Sequence, residues 1–190
     1  MFSAAQNPFR ISRLHGVDYI LKGISWDELL AQLESFNYRA AIAGKHGHGK
    51  STLLNALGNR LEERGISTLR LFLNASRRRL DPDVYSEFKE NTVALFDGAE
   101  QLDWLGWHRF LWRSNALKGL VITCHTPKRL PTLYECATSH ALLDDLIETL
   151  HPAMTQEQRT TAHELFEHHA GDLRQVFFSL YHDYMIQSPE

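Results

Sequence analysis

The stretch Gly44-Lys45-His46-Gly47-His48-Gly49-Lys50-Ser51 determines the architecture of this chain. It fits the pattern G-x-x-x-x-G-K-[ST] without a mismatch. An apolar run, 38–43, precedes it, and leucines at helical spacing from 53 to 61 follow it. This pattern predicts a strand, a loop and a helix in that order. A phosphate-binding loop requires that context, so the stretch predicts one; a glycine-rich turn without a ligand is the alternative.

The residue types in this loop suit a phosphate group. Glycines at 44, 47 and 49 let backbone N–H groups turn toward phosphate oxygens, beside the positive end of the following helix. We expect Lys50 to reach the β- and γ-phosphates, Ser51 to offer its hydroxyl to Mg²⁺, and Thr52 to line the α-phosphate side. Three further positions complete the predicted binding loop: Lys45, His46 and His48. At both histidines the backbone does the binding, so their side chains are expected to be partly exposed fillers, with gating by protonation as the alternative.

The rest of the chain alternates strands with helices, which predicts an α/β core built on a parallel sheet covered on both faces. Strands are expected at 67–73, 92–96, 120–124 and 133–136, and helices at 26–36, 50–64, 84–90, 101–114 and 140–150. After Pro152 the pattern changes to two helices, 155–169 and 172–186. We therefore assign residues 1–150 to the core and 151–190 to a small helical appendage.

Composition excludes several classes of protein. The 190 residues are 43% hydrophobic and 23% charged, with a net charge of −3, which is typical of a globular domain rather than a disordered or fibrous chain. A charge so close to zero argues against a surface built to coat nucleic acid. We expect no membrane helix and no secretory signal. The two cysteines, Cys124 and Cys136, are expected to be free thiols of a cytoplasmic protein, with a disulfide as the alternative.

An acidic residue ends the strand expected at 92–96. In nucleotide-hydrolysing P-loop proteins an Asp in the place of Asp97 holds Mg²⁺ through water; an ordinary turn residue is the alternative. Many of these enzymes place a Glu directly after that Asp to orient the attacking water, but Gly98 stands there. Glu100 is the nearest acid. It is either that water-orienting carboxylate or a first-turn acid that favours the dipole of a following helix.

The apolar strand at 120–124 ends in polar side chains. If this strand lies between the phosphate strand and the Asp97 strand, its end directs Thr123 or His125 at the γ-phosphate. A hydroxyl there senses whether that phosphate is present. A strand end with satisfied polar groups is the alternative.

Together these elements resemble the AAA+ ATPases. The stretches Gly44–Ser51, Phe96-Asp97 and Ile122-Thr123 are similar to the Walker A, Walker B and sensor 1 elements of that superfamily. The stretch Gly171-Asp172-Leu173-Arg174, with Leu180 on the same helix, resembles the G-D-x-R sensor 2 element of the superfamily's lid. The form is most similar to that of clamp-loader and origin-recognition relatives.

The resemblance implies a five-stranded sheet of order 5-1-4-3-2 and a helical lid that folds over the nucleotide. It also implies that Arg174 senses phosphate, with a surface salt bridge as the alternative. The stretch Asn7-Pro8-Phe9-Arg10 through Tyr19 is similar to the segment that packs against adenine in related ATPases.

Three departures from that family stand out. The superfamily's D-E pair reads Asp97-Gly98, and the lid is reduced to two or three helices. The best candidate for an arginine finger is Arg129, followed by Arg109 and Arg113, and each also fits a solvated surface position. Without a finger, a closed active ring is not supported.

Other signals are weaker. The basic run Arg77-Arg78-Arg79 fits contact with nucleic acid or an acidic partner, but it also fits a solvated loop. Three tryptophans at helical spacing fit a core helix or an exposed partner face: Trp104, Trp107 and Trp112. The stretch 163–169 lacks the H-E-x-x-H spacing, because His163 and His168 are five residues apart and point in different directions on a helix. We expect no zinc there.

Three functions remain open. The leading hypothesis is an ATP-binding and ATP-hydrolysing module that uses Mg²⁺ and acts as a nucleotide-driven switch on a protein partner. Guanine is disfavoured because no N-K-x-D follows any strand. The second is a small-molecule or nucleoside kinase, although the second strand ends at Leu73-Asn74 without the acid that such kinases carry. The third is a module that binds ATP without turning it over, which Gly98 motivates.

Overall fold

A computed structural model describes residues 7–10, 13, 17–126 and 130–186 of the chain, and every structural statement below concerns those residues. The strands are β1 (Arg39–Gly44), β2 (Ser67–Phe72), β3 (Thr92–Asp97), β4 (Gly119–Cys124) and β5 (Thr132–Cys136). The α-helices are α1 (Trp26–Ser35), α2 (Lys50–Glu63), α3 (Trp104–Arg113), α4 (His140–Leu150), α5 (Gln156–His168) and α6 (Leu173–Ile186). Short 3₁₀ segments cover Pro82–Glu87, Ala99–Gln101 and Ser114–Ala116.

Side chains at the helix N-termini explain where several helices begin. Before α1, the Ser25 hydroxyl accepts from the Glu28 amide over 3.3 Å, and the Glu28 carboxylate accepts from the Ser25 amide over 2.8 Å. This reciprocal pair satisfies two backbone donors that the first turn leaves open. Thr155 and Gln158 form the same arrangement before α5. Single caps precede α3, from Asp103, and α4, from Ser139.

The five strands form one parallel sheet in the order β2-β3-β4-β1-β5. Counted from the other edge this is 5-1-4-3-2, so the expected topology is confirmed. Ala41 of β1 pairs with Ile122 of β4, and Leu95 of β3 pairs with Val121 of β4. Strand β4 therefore separates the strand that leads into the phosphate loop from the strand that ends in Asp97, as the sequence predicts.

The sheet is covered on both faces, which gives a three-layer α/β core. Alternate residues of each strand face opposite sides, so Ala40 and Ile42 join one apolar cluster while Ala41 and Ala43 join the other. The first cluster packs against leucines of α1 and α2, namely Leu29, Leu30, Leu33, Leu53, Leu54, Leu57 and Leu61. The second packs against Trp107 and Phe110 of α3. Burial of both faces of the sheet explains why its central strands are nearly continuous apolar runs.

The chain divides into two compact units. The sheet unit comprises Tyr19–Gly44 and Lys50–Cys136. The helical unit comprises Lys45–Gly49, the described residues from Ala137 onward, and the described residues before Tyr19. Within the helical unit, α4, α5 and α6 share an apolar cluster that includes Leu143, Ile147, Phe166, Val176 and Phe177.

Some predicted boundaries differ from the structure. The domain boundary expected at residue 150 does not coincide with the division into units, because α4 buries its apolar face against α5 and α6. The helix expected at 84–90 is the 3₁₀ segment Pro82–Glu87, with Pro82 in its first turn. The helix expected from residue 101 begins at Trp104, because Asp103 caps it there. Of the helices in the described part of the chain, none combines the length and apolarity needed to cross a membrane.

Candidate functional site

The loop between β1 and α2 has the backbone that the glycine spacing predicts. Gly44, Gly47 and Gly49 have φ values of 151°, 70° and 82°, a range that side chains other than glycine rarely adopt. At Gly44 the backbone also passes close to β5, since a Cβ there would lie 2.7 Å from the carbonyl oxygen of Cys136. The glycines therefore allow a tight loop at the carboxyl end of β1, where parallel sheets commonly bind ligands.

Lys50 is the first residue of α2, and only 9% of it is exposed. Burial lowers the pKa of its ammonium group, while Cys136, Glu100, Asp97 and Cys124 act in the opposite direction. A lysine with a lowered pKa at the start of a helix lies in surroundings that favour an added negative charge. A phosphate group would supply that charge.

The other loop positions are more open. Ser51 is half-buried in the first turn of α2, and Thr52 beside it is exposed. The side chains of Lys45 and His46 are exposed and that of His48 is half-buried, in keeping with positions where the backbone would do the binding.

Asp97, Thr123 and Gly98 form a hydrogen-bonded set where β3 and β4 end. The Thr123 hydroxyl donates to Oδ1 of Asp97 over 2.6 Å and accepts from the Gly98 amide over 3.2 Å. Thr123 is 1% exposed, so this hydroxyl is removed from bulk water. Of Thr123 and His125, the two polar residues singled out at the end of β4, Thr123 is the one that orients the Asp97 carboxylate.

Gly98 has a physical reason to stand where many nucleotide-hydrolysing P-loop enzymes carry a glutamate. Its φ is +79°, and a Cβ there would overlap the carbonyl oxygen of Leu73 and lie 2.9 Å from its carbonyl carbon. A glutamate would therefore strain the backbone and displace β2's end. Any water-orienting carboxylate must come from another position.

Glu100 lies in the first turn of the 3₁₀ segment Ala99–Gln101, ahead of the helix expected from residue 101, which begins at Trp104. Its carboxylate is 3.4 Å from Nε2 of His125, which follows the end of β4. The two side chains are 32% and 40% exposed, so both remain accessible to water. The position of Glu100 at the same sheet edge as Asp97 is compatible with either interpretation of this residue.

Mg²⁺ is a hard cation that prefers oxygen ligands, bound through one or two protein groups and several waters. The Ser51 hydroxyl at the start of α2 and the Asp97 carboxylate at the end of β3 are oxygen donors of this kind. The donor set therefore fits the ion. No group of three or more His, Cys, Asp and Glu side chains suited to a metal occurs among the residues that the structure describes.

The structure describes three of the four arginines expected to act on phosphate. Arg174 is exposed in the first turn of α6, two residues after Asp172. Arg109 is exposed on α3, and the Arg113 guanidinium lies 4.4 Å above the ring of Tyr85. Arg129, the leading candidate for an arginine finger, lies outside the described residues.

The described residues of the segment Asn7–Tyr19 make contacts within each of the two units. In the helical unit, Asn7 donates from Nδ2 to the Tyr181 carbonyl over 2.9 Å, and the Phe9 ring stacks on Phe177. In the sheet unit, the Tyr19 hydroxyl donates to Sγ of Cys136 over 3.3 Å. Burial is the main cause that raises the pKa values of Tyr19 and Cys136.

The remaining sequence signals have plain structural outcomes. Cys124 and Cys136 are buried free thiols, as expected. His163 pairs with Asp144 over 2.7 Å, and the residues Arg77, Arg78 and Arg79 are all exposed. Of the tryptophans in α3, only Trp107 lies in the core; Trp104 and Trp112 are 75% and 74% exposed. The interpretation of that set as core residues is therefore wrong for two of the three.

Sequence reasoning missed two contacts of this region. His125 follows β4 and Glu100 follows β3, so only the order of the strands in the sheet could have suggested that the two side chains pair. The second contact places Asp172 beside Gly47. The sequence singled out Asp172 only through its resemblance to the G-D-x-R element and assigned it no role.

Comparisons with protein-family models and with curated proteins found no match to this chain. The resemblance to AAA+ ATPases therefore depends on the residues quoted above and stays a prediction.

Proposed function

We propose that this chain binds ATP together with Mg²⁺ at the loop Gly44–Ser51, hydrolyses it, and acts as a nucleotide-driven switch of the AAA+ kind. One observation carries the proposal. A loop with three glycines of positive φ leads directly to the buried Lys50, and the strand order of the sheet puts Asp97 and Thr123 at the same edge. Phosphoryl transfer requires positioning and charge stabilisation of this kind.

Each side chain has a defined part in this proposal. The loop amides and Lys50 bind the phosphates, and Ser51 and Asp97 hold the magnesium ion, which would neutralise phosphate charge. Thr123 keeps the Asp97 carboxylate in place through its 2.6 Å hydrogen bond. Glu100, with His125 at 3.4 Å, accepts a proton from the attacking water.

A kinase function has less support. Kinases of this loop type usually carry an acid at the end of the second strand to hold the acceptor, and β2 ends at Phe72, followed by Leu73 and Asn74. The helical unit offers Arg174 but no arginine-rich segment among its described residues.

ATP binding without turnover is the second candidate function, because one observation favours it. The backbone at Gly98 leaves no room for the glutamate that many hydrolysing relatives place there. In that case bound ATP would act as a ligand that controls a protein partner. The exposed side chains of Trp104, Leu105 and Trp112 on α3 are the apolar surface that such a partner would cover. Contact of Arg77–Arg79 with nucleic acid stays a prediction.

A single-turnover reaction with ATP labelled on the γ-phosphate separates the three functions. The proposal predicts that the label appears as free phosphate, and that the Lys50→Ala variant releases none. Label on an added nucleoside or metabolite would favour the kinase. Label that stays in protein-bound ATP, with binding still dependent on Lys50, would favour the module without turnover.

A further inference from the structure

An acidic side chain of the helical unit lies directly against the phosphate loop. Gly47, in the middle of the loop, has φ +70°, and a Cβ built there would lie 2.7 Å from Oδ2 of Asp172 and closer still to Oδ1 and Cγ. The carboxylate therefore covers the Cα of Gly47. Both residues belong to the helical unit, which includes Lys45–Gly49. Glycine is required at position 47 for its backbone and for this close approach.

Two local contacts position the Asp172 carboxylate. Its Oδ1 accepts a hydrogen bond from the Gln175 amide over 3.1 Å, so Asp172 caps α6. The preceding carbonyl, that of Gly171, accepts from the Thr138 hydroxyl over 2.9 Å, and the same hydroxyl lies 3.5 Å from Nε2 of His48 in the loop. The turn that carries Asp172 is thus linked to the loop at two neighbouring residues, Gly47 and His48.

The helix cap does not require a charged residue. Asparagine and serine cap helices about as well as aspartate does. Asp172 is half-buried, and bulk water therefore screens its charge incompletely. A negative charge beside a loop whose amides bind phosphate opposes the binding of that phosphate, because like charges repel over the few ångströms involved. The charge of Asp172 thus has an effect on the loop that a neutral cap would lack.

We propose that Asp172 limits the affinity of the phosphate loop for nucleotide and speeds the release of bound nucleotide. This inference rests on the proposed function, because it assumes that the loop binds ATP. In a nucleotide-driven switch, such a residue sets the lifetime of the bound state without touching the reacting atoms. In this proposal Lys50 binds the nucleotide, and Asp172 lowers the affinity with which the loop holds it.

The test compares Asp172→Asn and Asp172→Ser with the unaltered chain. Both variants keep a capping side chain and remove the charge. We expect ATP to bind about 3- to 10-fold more tightly and to dissociate more slowly at low ionic strength, about 0.05 M, and the gain to shrink near 0.5 M, where screening is stronger. Titration calorimetry gives the affinity, and stopped-flow displacement of a fluorescent ATP analogue gives the dissociation rate.

Asp103→Asn is the matched control. Asp103 caps α3 by accepting from the Gly106 amide over 2.6 Å, so the substitution makes the same chemical change at a cap outside the helical unit. It should leave ATP affinity unchanged. The proposal is overturned if neither Asp172 variant binds ATP more tightly, if the gain is equal at both salt concentrations, or if both variants fail to fold.

A parallel titration of Lys50→Ala distinguishes failure of this inference from failure of the proposed function. If the unaltered chain binds no ATP, or binds it equally well without Lys50, the proposed function fails and this inference fails with it. If binding depends on Lys50 but is unchanged by loss of the Asp172 charge, only this inference fails.

Discussion

The hydroxyl of Thr123 donates a 2.6 Å hydrogen bond to the carboxylate of Asp97. The two residues end neighbouring parallel strands, and the contact is buried on the Thr123 side. Thr123 is a neutral donor, so it orients the carboxylate without adding a compensating charge, as a metal-binding role would need. The Thr123 hydroxyl thereby holds the Asp97 side chain in one orientation.

Thr123→Val should destabilise the fold. Valine has nearly the same shape, but it leaves Oδ1 of Asp97 and the Gly98 amide without this partner. We expect a loss of about 1–3 kcal/mol in the free energy of unfolding, measured by urea denaturation, together with slower ATP turnover. Thr123→Ser keeps the hydroxyl and is the control. Equal losses in the two variants would show that packing, and not the hydrogen bond, matters here.

Gly98→Ala should be far more damaging than Gly65→Ala, although the two glycines have nearly the same φ, +79° and +76°. A Cβ at Gly65 meets nothing within 4 Å, whereas one at Gly98 meets the backbone of Leu73. We expect roughly 1–2 kcal/mol of destabilisation at Gly65 from the backbone alone, and more than about 3 kcal/mol at Gly98. Thermal and urea unfolding would measure both. Similar values would contradict the close packing at Gly98.

Glu100→Gln should reduce ATP turnover and leave ATP binding intact, because the amide cannot accept a proton from the attacking water. The expected loss in turnover is about 10²-fold or more. Glu90→Gln is the control, since Glu90 is also exposed in the sheet unit but lies before β3, at the amino end of that strand. Steady-state phosphate release and ATP titration measure the two effects. Unchanged turnover would mean that Glu100 is only a surface carboxylate.

The stability of the helical unit should fall as the pH drops below the ordinary pKa of histidine. Burial, aided by the nearby charge of Arg159, lowers the pKa of His151 from 6.5, so folding favours the neutral ring. As the pH falls, the unfolded chain binds a proton at His151 before the folded chain does. The free energy of unfolding therefore decreases from about pH 6.5 downward. The free energy of unfolding should fall less between pH 7.5 and pH 5.5 in His151→Gln than in the unaltered chain. An identical pH dependence in both would contradict this assignment.

The phosphate loop and the strands and helices of the α/β core could be predicted because each depends on a local signal. Apolar runs, leucines at helical spacing and the glycines of Gly44–Ser51 fix the elements, and the resemblance to AAA+ ATPases then supplies the order of the strands. Thr123 could be assigned to the site for the same reason, since β4 must lie between β1 and β3 in that order.

Side-chain contacts between distant parts of the chain could not be predicted. Trp107 and Trp112 are five residues apart and point in different directions on α3, but only the packed structure shows that Trp107 faces the sheet while Trp104 and Trp112 face solvent. Likewise, no local pattern shows that Asp172 meets Gly47, since the two lie 125 positions apart in the sequence. The unit boundary was missed because α4 is amphipathic and fits either a sheet or a helical cluster until its neighbours are known.

ATP binding at the loop Gly44–Ser51 is tested by the equilibrium binding of ATP with Mg²⁺ to Lys50→Ala and to Lys45→Ala, measured by titration calorimetry. Both substitutions remove a lysine from the same loop, but Lys50 is buried at the start of α2 whereas Lys45 is exposed. If ATP binds at this loop through Lys50, Lys50→Ala weakens binding by at least about tenfold, roughly 1.4 kcal/mol, and Lys45→Ala changes it little. Undiminished affinity in a folded Lys50→Ala protein would show that ATP does not bind through Lys50.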